Sequence, residues 1–416
     1  MSHPSASPPS AGLGRVLADA RQTTAPLQRT LEAIRTHLGM EVAYVSEFKD
    51  DTSLFKAVDA PGLEGVIKPG DSQPLDDIFC RHILAGRLPQ VMPDVRQEPL
   101  AMSLPIMQKV PIGSHLSVPI RLEDGETYGM FCCLSFKPDP SLNERDLQVM
   151  RVFADMAAHE IELERKEKRV QEVKSARIRD MLAREDFRPV FQPIFDLSAR
   201  RIVGFEALCR FSGEPYRSPD VWFAEAEACD LGLALEIATL RKALRVAERF
   251  PRELYVSINA SPELLVSGQL PALIGQSPGR RLLVEVTEHA KVDDYALLGR
   301  ALDLLRTRGC EIAVDDAGAG YSGLQHIVQI KPDVIKLDIG LIRGVDADPS
   351  RRALISALLY FARETGAGLI AEGIETEAEA EHLHLLGISK GQGYLLSRPL
   401  EAEDALAMAS GRRRVA

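Results

Sequence analysis

The chain has 416 residues, a formal net charge of −10, 45% hydrophobic residues and 26% charged residues. Its length and composition predict a globular protein of two domains, and its acidity argues against a nucleic-acid polymer as partner, because phosphate binding needs a basic surface. No apolar run in the sequence reaches about 18 residues, so we expect no membrane span.

The chain termini and the cysteines predict little chemistry of their own. Residues 1–24 lack the basic and apolar regions of a signal peptide and predict a disordered leader, while residues 411–416 predict a frayed basic tail. The six cysteines show no C-x-x-C spacing, which predicts buried, reduced thiols in a cytoplasmic protein.

Residues 25–142 predict a small α/β domain. Periodic apolar residues mark one helix and four strands, and a long stretch punctuated by proline and glycine, 60–111, interrupts them. The predicted elements are a helix over 27–38, strands over 40–48 and 53–58, a short helix over 78–84, and strands over 114–122 and 128–136.

A connecting helix is predicted over 143–185, because neither proline nor glycine occurs between Asn143 and Phe187. Ser141 or Asn143 can cap its first turn. Apolar residues recur every seven positions, which is typical of a coiled coil and predicts a homodimer. The companion heptad position is mixed, so a solvated connector is the alternative. The recurring residues are Val149, Met156, Leu163 and Val170.

Residues 186–410 alternate between short apolar runs and amphipathic stretches of helical length, the pattern of a (β/α)₈ barrel. Seven runs end in an acid, an amide or a lysine, and a barrel brings the carboxyl ends of its strands to one face. One such carboxylate alone is more often a solvated loop residue, but oxygen-rich clusters hold hard ions such as Mg²⁺ or Mn²⁺. The residues are Glu206, Asn259, Glu285, Asp315 with Asp316, Lys336, Glu372 and Gln392.

Eight sequence blocks occur in order: FQPI (191–194), EALCR (206–210), SINAS (257–261), EVTE (285–288), DDAGAGYSGL (315–324), IKLD (335–338), AEGIE (371–375) and GQGY (391–394). Together they resemble the EAL family of cyclic-di-GMP phosphodiesterases over roughly 180–410. The resemblance implies a TIM-like barrel that hydrolyses cyclic-di-GMP to linear pGpG with two Mg²⁺ or Mn²⁺ ions and no organic cofactor. The alternatives are a catalytically silent cyclic-di-GMP receptor and an interaction scaffold that has lost nucleotide binding.

The resemblance also implies a role for each site residue. The metal ligands would be Glu206, Asn259, Glu285, Asp315, Asp316 and Glu372, with Asp315 bridging two ions. Catalysis would involve Glu206, Asp315, Glu372 and Lys336, the lysine acting at the nucleophilic water or the developing phosphate charge. Substrate contacts are implied for Gln192, Leu208, Arg210, Asp338 and Gln392. Arg210 would contact a phosphate, and a surface ion pair is the alternative for it.

The glycine-rich loop 315–324 carries one departure from the family. Glu288 resembles the residue that anchors this loop. The family commonly has phenylalanine where this chain has Ala317. The difference puts the rigidity of the loop and its coupling to a dimer in question more than catalysis.

Residues 25–165 resemble a GAF domain through the blocks DDIFCRHIL, SHLSVPIRL and YGMFCCLSF. The resemblance implies an unidentified small-molecule or protein ligand that regulates the barrel. Some GAF domains attach tetrapyrroles through a cysteine, but Cys80 is not followed directly by histidine, which favours a buried cysteine. Cys132 and Cys133 should face opposite sides of their strand, and His115 is interpreted as structural.

Overall fold

The computed structural model describes residues 26–213, 216–275, 279–287, 294–318 and 323–411. The predicted leader and residues 412–416 of the predicted tail lie outside the described residues. The chain forms two compact units that divide between Val170 and Gln171. Within the described ranges, every helix is too short or too polar to cross a lipid bilayer.

The first unit is built on a six-stranded antiparallel sheet in the order β3-β2-β1-β6-β5-β4. All four predicted strands and both predicted helices are present, and the additional elements fall in the stretch rich in proline and glycine. The strands are β1 (Val42–Lys49), β2 (Thr52–Asp59), β3 (Ser72–Pro74), β4 (Val91–Met92), β5 (Ser114–Arg121) and β6 (Thr127–Ser135). The helices are α1 (Pro26–Leu38), α2 (Phe79–Leu84), α3 (Pro99–Ser103) and α4 (Ile106–Lys109), with 3₁₀ turns at Leu75–Asp77 and Val95–Gln97.

The two faces of this sheet carry separate apolar cores. Because successive side chains of a strand alternate between faces, Cys133 belongs to the core that includes Leu31 of α1, whereas Cys132 belongs to the core that includes Phe79 of α2. The predicted opposite orientation of the two cysteines is therefore confirmed. Cys80 is 1% exposed, in agreement with a buried thiol.

Helix α5 (Glu144–Arg184) continues from the first unit into the second. Of the two predicted caps, Asn143 provides it: its Oδ1 accepts a hydrogen bond from the backbone N–H of Arg145 at 2.9 Å. The backbone N–H of Asn143 donates in turn to the carboxylate of Asp146 at 2.9 Å. The helix has 41 residues and is therefore about 60 Å long.

The second unit is a closed barrel of eight strands surrounded by helices. A ninth strand, β15, pairs with β7 outside the closed ring. The strands are β7 (Phe187–Asp196), β8 (Arg201–Phe211), β9 (Tyr255–Asn259), β10 (Leu282–Thr287), β11 (Glu311–Ala317), β12 (Val334–Leu337), β13 (Gly368–Ala371), β14 (Lys390–Gly391) and β15 (Leu400–Glu401). The helices are α6 (Pro219–Glu227), α7 (Gly232–Ala247), α8 (Pro262–Val266), α9 (Leu270–Ile274), α10 (Tyr295–Arg306), α11 (Gly323–Ile330), α12 (Ile339–Ile342), α13 (Pro349–Thr365), α14 (Glu377–Leu386) and α15 (Ala402–Ala409).

The predicted barrel is confirmed, but its first strand differs from the expected alternation. Strand β7 runs antiparallel to both β8 and β14, because a short turn instead of a helix connects it to β8. As a result β8 extends five residues beyond Glu206, and this glutamate lies within the strand instead of at its end. The expectation that the apolar run ends at Glu206 was wrong for this reason.

An apolar layer fills the lower part of the barrel interior. It consists of Ile194, Tyr255, Leu283, Ala313, Val334 and Ile370, which come from six different strands. Inward-facing residues of neighbouring strands form such layers in (β/α)₈ barrels. The layer closes the barrel below the residues described next.

Candidate active site

A polar layer lies directly above the apolar one. In a strand, residues two positions apart share a face, so Leu283 is followed on the inner side by Glu285, and Val334 by Lys336. The same step leads from Ala313 to Asp315 and from Ile370 to Glu372. On four neighbouring strands, an inward-facing apolar residue is therefore followed, two residues later, by an inward-facing charged residue.

Glu206 faces the same space from the middle of β8 and is held by two amides. The Nδ2 of Asn259 donates to its Oε1 at 3.3 Å, and the Nε2 of Gln392 donates to its Oε2 at 2.6 Å. The Nε2 of Gln392 also lies 3.0 Å from Oε1 of Glu372, which joins the two acids through one donor group. The next residue, Gly393, packs against the backbone of Ile374, where a Cβ would lie 2.1 Å from the carbonyl oxygen, so this position requires glycine.

Lys336 lies at the centre of the polar layer and has no exposed surface. Its Nζ is 2.6 Å from a carboxylate oxygen of Glu372 and 2.9 Å from one of Glu285. Asp315 follows at 3.1 Å and Glu206 at 3.6 Å. One ammonium group thus faces four carboxylates, which leaves three negative charges uncompensated if all four acids are ionised.

Burial, together with this excess of negative charge, raises the pKa of two of the acids. Burial raises the pKa of Glu285 well above its usual range, although the ammonium of Lys336 acts in the opposite direction. Burial likewise raises the pKa of Glu372 to about 8. For Lys336 burial lowers the pKa, but the surrounding carboxylates outweigh it and hold the pKa well above the usual value. The lysine is therefore a permanent cation, and the acids need further positive charge to ionise fully.

Asp315 and Asp316 lie at an irregularity in β11. The pairing of β11 with β12 shifts register between Val314 and Ala317, and Asp316 has a positive φ of 58°. Such a bulge redirects the side chains of a strand. The backbone N–H of Asp316 donates to Oδ1 of Asp315 at 3.0 Å. The bulge explains how two adjacent acids can take part in one cluster.

The acids form two groups of possible metal ligands that share Asp315. Carboxylate oxygens of Glu206, Glu285 and Asp315 lie within 4.8 Å of one another, and so do those of Asp315, Asp316 and Glu372. The Oε2 of Glu285 is buried, and its partner is the ammonium of Lys336 at 2.9 Å, which three other carboxylates share. An excess of buried carboxylate oxygens over the one ammonium is suited to further cations, so the donor set fits hard divalent ions.

The predicted substrate residues occupy different positions. Gln192 is the cross-strand partner of Glu206, and its Nε2 donates to the carbonyl of Ser397 at 3.1 Å. Leu208 and Arg210 follow Glu206 along β8 and are half-buried. The carboxylate of Asp338 caps α12 by accepting from the N–H of Gly340 at 2.7 Å.

The guanidinium of Arg210 donates to the carbonyl of Cys209 at 3.3 Å. Within the part of the chain that the structure describes, no carboxylate forms an ion pair with it, so the alternative of a surface ion pair is not realised there. Ala317 is fully buried. The predicted anchor Glu288 and residues 319–322 of the glycine-rich loop lie outside the described residues.

Ser257 is a site residue that the sequence interpretation missed. It is fully buried, and its hydroxyl donates to Oε1 of Glu285. The signal was present, because Ser257 precedes Asn259 by two positions and must face the same side of β9. Its hydroxyl orients the acid that is most deeply buried.

A family model described as "EAL domain" matches residues 175–399, and one described as "GAF domain" matches residues 21–162. The chain is 28% identical over 228 residues to the "Probable cyclic di-GMP phosphodiesterase PdeG" of Escherichia coli K12, a match that covers 51% of this chain and 44% of that protein. The chain spans between 35% and 45% of the length of three curated relatives that it matches.

Two solved structures are similar. The complex of the PaMucR phosphodiesterase with c-di-GMP matches with a TM-score of 0.50 and 28% identity, over 55% of this chain and 97% of that one. The EAL enzyme Bd1971, bound to cAMP and cyclic-di-GMP, matches in fold with a TM-score of 0.56 and 19% identity, over 89% of this chain and 93% of that one. The EAL family model spans more than half of the chain, and the acids of the chain converge in one barrel. The chain therefore belongs to the EAL domain family.

Proposed function

We propose that the barrel hydrolyses one phosphodiester bond of cyclic-di-GMP to give linear pGpG, under control of the N-terminal GAF domain. The observation that carries this proposal is the convergence of five acids, an amide and a lysine on one point of the barrel interior. The naming of relatives as cyclic-di-GMP phosphodiesterases, and the cyclic-di-GMP bound to the similar PaMucR structure, support the choice of substrate.

Divalent cations, Mg²⁺ or Mn²⁺, would be held by the two acid groups that share Asp315. Glu206, Asn259 and Glu285 would serve one position and Asp316 the other, with Glu372 completing the set. When bound, paired cations polarise phosphoryl oxygens and lower the pKa of water. They would also neutralise the acids whose ionisation burial opposes, which explains why so many carboxylates can share one space.

Two further side chains would orient the metal ligands and balance the charge of the site. Gln392 bridges Glu206 and Glu372 and so fixes the separation of two acids from distant strands. Lys336 is fully buried and its ammonium contacts four carboxylates, so its charge is directed at the layer where negative charge would develop on phosphate. We assign it to stabilisation of the transition state.

Substrate would be held by residues at the side of β7 and β8. Arg210 offers a fork of donors without a carboxylate partner among the described residues, as a phosphate contact requires. Gln192, Leu208 and Asp338 would contact or shape the remainder of the substrate, and Gln392 would reach it from the opposite side of Glu206. Each of these roles is part of the proposal.

The proposal is tested by incubating the full chain with cyclic-di-GMP and Mg²⁺ or Mn²⁺ and separating the products by liquid chromatography. We expect pGpG with either ion and none in excess chelator. Ca²⁺ should support binding but not turnover, because its longer bonds and looser geometry place the reacting groups poorly. Binding without pGpG under every metal condition would make the chain a silent receptor, and absence of binding would favour a scaffold.

Helix α5 offers a route for control. Near its C-terminal end, Ile178 and Met181 pack in one cluster with Phe187 of β7 and Phe211 of β8, the strand that carries Glu206 and Arg210. A change in the position of this end would therefore reach the strand of the site. Deletion of residues 1–140 should change the specific activity; an unchanged rate would remove the first domain from regulation.

We also propose that the protein is a homodimer in the cytoplasm. Met156, Leu163 and Val170 of α5 are 51%, 43% and 48% exposed, and they occupy one heptad position. A second copy of the helix would cover this row. The six free cysteines agree with a reducing compartment.

A further inference from the structure

A cavity in the first unit takes no part in the barrel chemistry. It has a volume of about 450 Å³ and opens to solvent above one face of the sheet. Its floor is formed by β1, β2, β5 and β6, and its walls come from the segment between β2 and β3 and the segment around α4. Protein cores contain few voids larger than a water molecule, whereas pockets for small ligands begin at about 300 Å³.

The cavity is mainly apolar. Fourteen of its nineteen lining residues are apolar or aromatic. Tyr44 and Phe55 are neighbours in its floor, with ring centroids 4.9 Å apart, and Phe79 meets the ring of His115 edge-on at 5.0 Å. Flat rings on two sides favour a ligand with a planar, apolar body.

One polar group in the cavity lacks a partner. His115 is 1% exposed and lines the cavity, and its Nδ1 has no hydrogen-bond partner among the described residues. A buried nitrogen without a hydrogen bond destabilises the folded domain, so a ligand atom that hydrogen-bonds to the ring would recover this cost. The ring of His115 also lies within hydrogen-bond reach of the thiol of Cys132, so a structural role within the domain, as the sequence suggested, is compatible with contact to a ligand.

The charged residues of the lining indicate the sign of the ligand. The Nζ of Lys109 contacts the neutral side-chain oxygen of Gln73 at 3.2 Å, and no ion pair with a described carboxylate is formed. The carboxylate of Asp71 accepts a hydrogen bond from the backbone N–H of Lys68 at 3.1 Å, which orients it but leaves its negative charge. Lys109 is the one lysine or arginine among the described residues of the lining, so an anionic occupant would place its charge there.

The segment above the cavity is also incompletely covered. Val66 lines the cavity yet remains 73% exposed, which is unusual for a large apolar side chain beside an apolar pocket. An occupant of the cavity would bury part of this surface. We infer that the cavity binds a small organic acid with a flat, ring-containing apolar body, its carboxylate at Lys109 and a hydrogen-bonding atom at His115.

Binding of three ring acids, benzoate, naphthalene-2-carboxylate and biphenyl-4-carboxylate, to the full chain tests this inference by ligand-observed NMR titration. We expect at least one to bind saturably at a single site. Lys109→Gln should weaken that binding about 10-fold or more, as loss of a charge-assisted hydrogen bond does. The uncharged carboxamide of the same ring should bind the wild type as weakly as the acid binds the Lys109→Gln variant. Lys49→Gln, an exposed lysine outside the lining, should leave binding within about 2-fold.

Val110→Trp supplies an independent test, because a large ring at this lining position would fill the cavity and abolish binding. If circular dichroism shows that this variant is unfolded, Lys109→Glu replaces it and must weaken binding more than Lys49→Glu. The inference is overturned if none of the three acids binds, if the carboxamide binds equally well, or if neither the tryptophan nor the glutamate variant has the expected effect.

The titration needs neither a metal ion nor hydrolysis. The inference deepens the sensing role proposed for the first domain, and yet it can fail while the barrel remains an active phosphodiesterase. Addition of cyclic-di-GMP supplies the distinguishing measurement, since the cavity ligand should not be displaced by the barrel's proposed substrate. Displacement would mean that the acid had bound in the barrel, and it would overturn the assignment to the cavity.

Discussion

The barrel interior and the cavity of the first unit are both enclosed by sheets, but they differ in where their polar groups come from. In the barrel, acids from β8, β10 and β11, together with Glu372 after β13, surround one buried lysine. In the cavity, a mostly apolar lining surrounds one histidine nitrogen that has no hydrogen-bond partner in the described part of the chain. The first arrangement suits cations and phosphate, and the second suits an apolar ligand with few polar atoms.

The two sites also differ in how much electrostatic repulsion they contain. The barrel concentrates buried like charges, which oppose one another until cations enter, so its geometry and its stability should depend on bound ions. The cavity holds no such excess of charge. Substitutions in the polar layer should therefore produce large, ion-dependent effects, while those at the cavity should act through binding of the cavity ligand and should not depend on ions.

The largest effect is expected for Glu206→Ala. The change removes a carboxylate that belongs to a group of possible metal ligands and that both Asn259 and Gln392 orient. Turnover with Mg²⁺ should fall by roughly 10³-fold or more, equivalent to about 4 kcal/mol in the barrier. Product formation measured by chromatography checks this, with the exposed Glu263→Ala as control. Retention of substantial activity by the Glu206 variant would rule out the proposed metal mechanism.

Lys336→Met should have the next largest effect on turnover. Because the ammonium is proposed to act on charge that develops in the transition state, turnover should fall roughly 10²- to 10³-fold while the dissociation constant for cyclic-di-GMP changes little. Timed product-formation assays measure turnover, and isothermal titration calorimetry measures the dissociation constant. The exposed Lys331→Met is the control, and an equal loss in affinity would identify Lys336 as a binding residue instead.

The same lysine variant also probes the charge balance. In chelator, loss of the ammonium leaves four buried acids without their shared cation, and the free energy of unfolding should drop by about 3 kcal/mol. Mg²⁺ should restore most of this loss by binding to the folded state. Urea unfolding with and without the ion checks the expectation; equal destabilisation in both conditions would contradict it.

Arg210→Ala should mainly weaken substrate binding. Loss of a charge-assisted contact to phosphate should raise the dissociation constant about 10-fold, with little change in turnover at saturating substrate. Arg188→Ala is a matched control, because Arg188 is the cross-strand neighbour of Arg210 but is already paired with Glu401 at 3.0 Å. If both variants bind equally well, Arg210 does not contact phosphate.

The sequence predicted most of the barrel's polar layer because each member follows an apolar run. Lys336 and Glu372 are examples, because each follows a short apolar strand and the two strands are parallel neighbours, which brings both residues to the same edge of the sheet. The antiparallel β7 and the bulge at Asp316 were not predictable, because pairing direction and register depend on distant strands. The role suggested for His115 also depends on distant segments, and no local pattern marks a cavity lined by them.

The smallest effect on catalytic efficiency (kcat/KM) is expected for Leu163→Glu, which addresses the helix that runs from one unit into the other. Leu163 is 43% exposed and belongs to the apolar row of α5, so a charge there would place two like carboxylates in the seam of a dimer. Companion positions His159 and Lys166 are polar, and the pairing should therefore be weak enough for one substitution to disrupt it. Analytical ultracentrifugation should give a monomer, whereas Lys168→Gln, an equal change in charge on the far side of the helix, should remain a dimer. The rate should change only a few-fold, because the acids and Lys336 lie within one barrel and need no second copy to converge. If the glutamate variant sediments and turns over as the wild type does, the apolar row is not a dimer seam and α5 acts only as a tether.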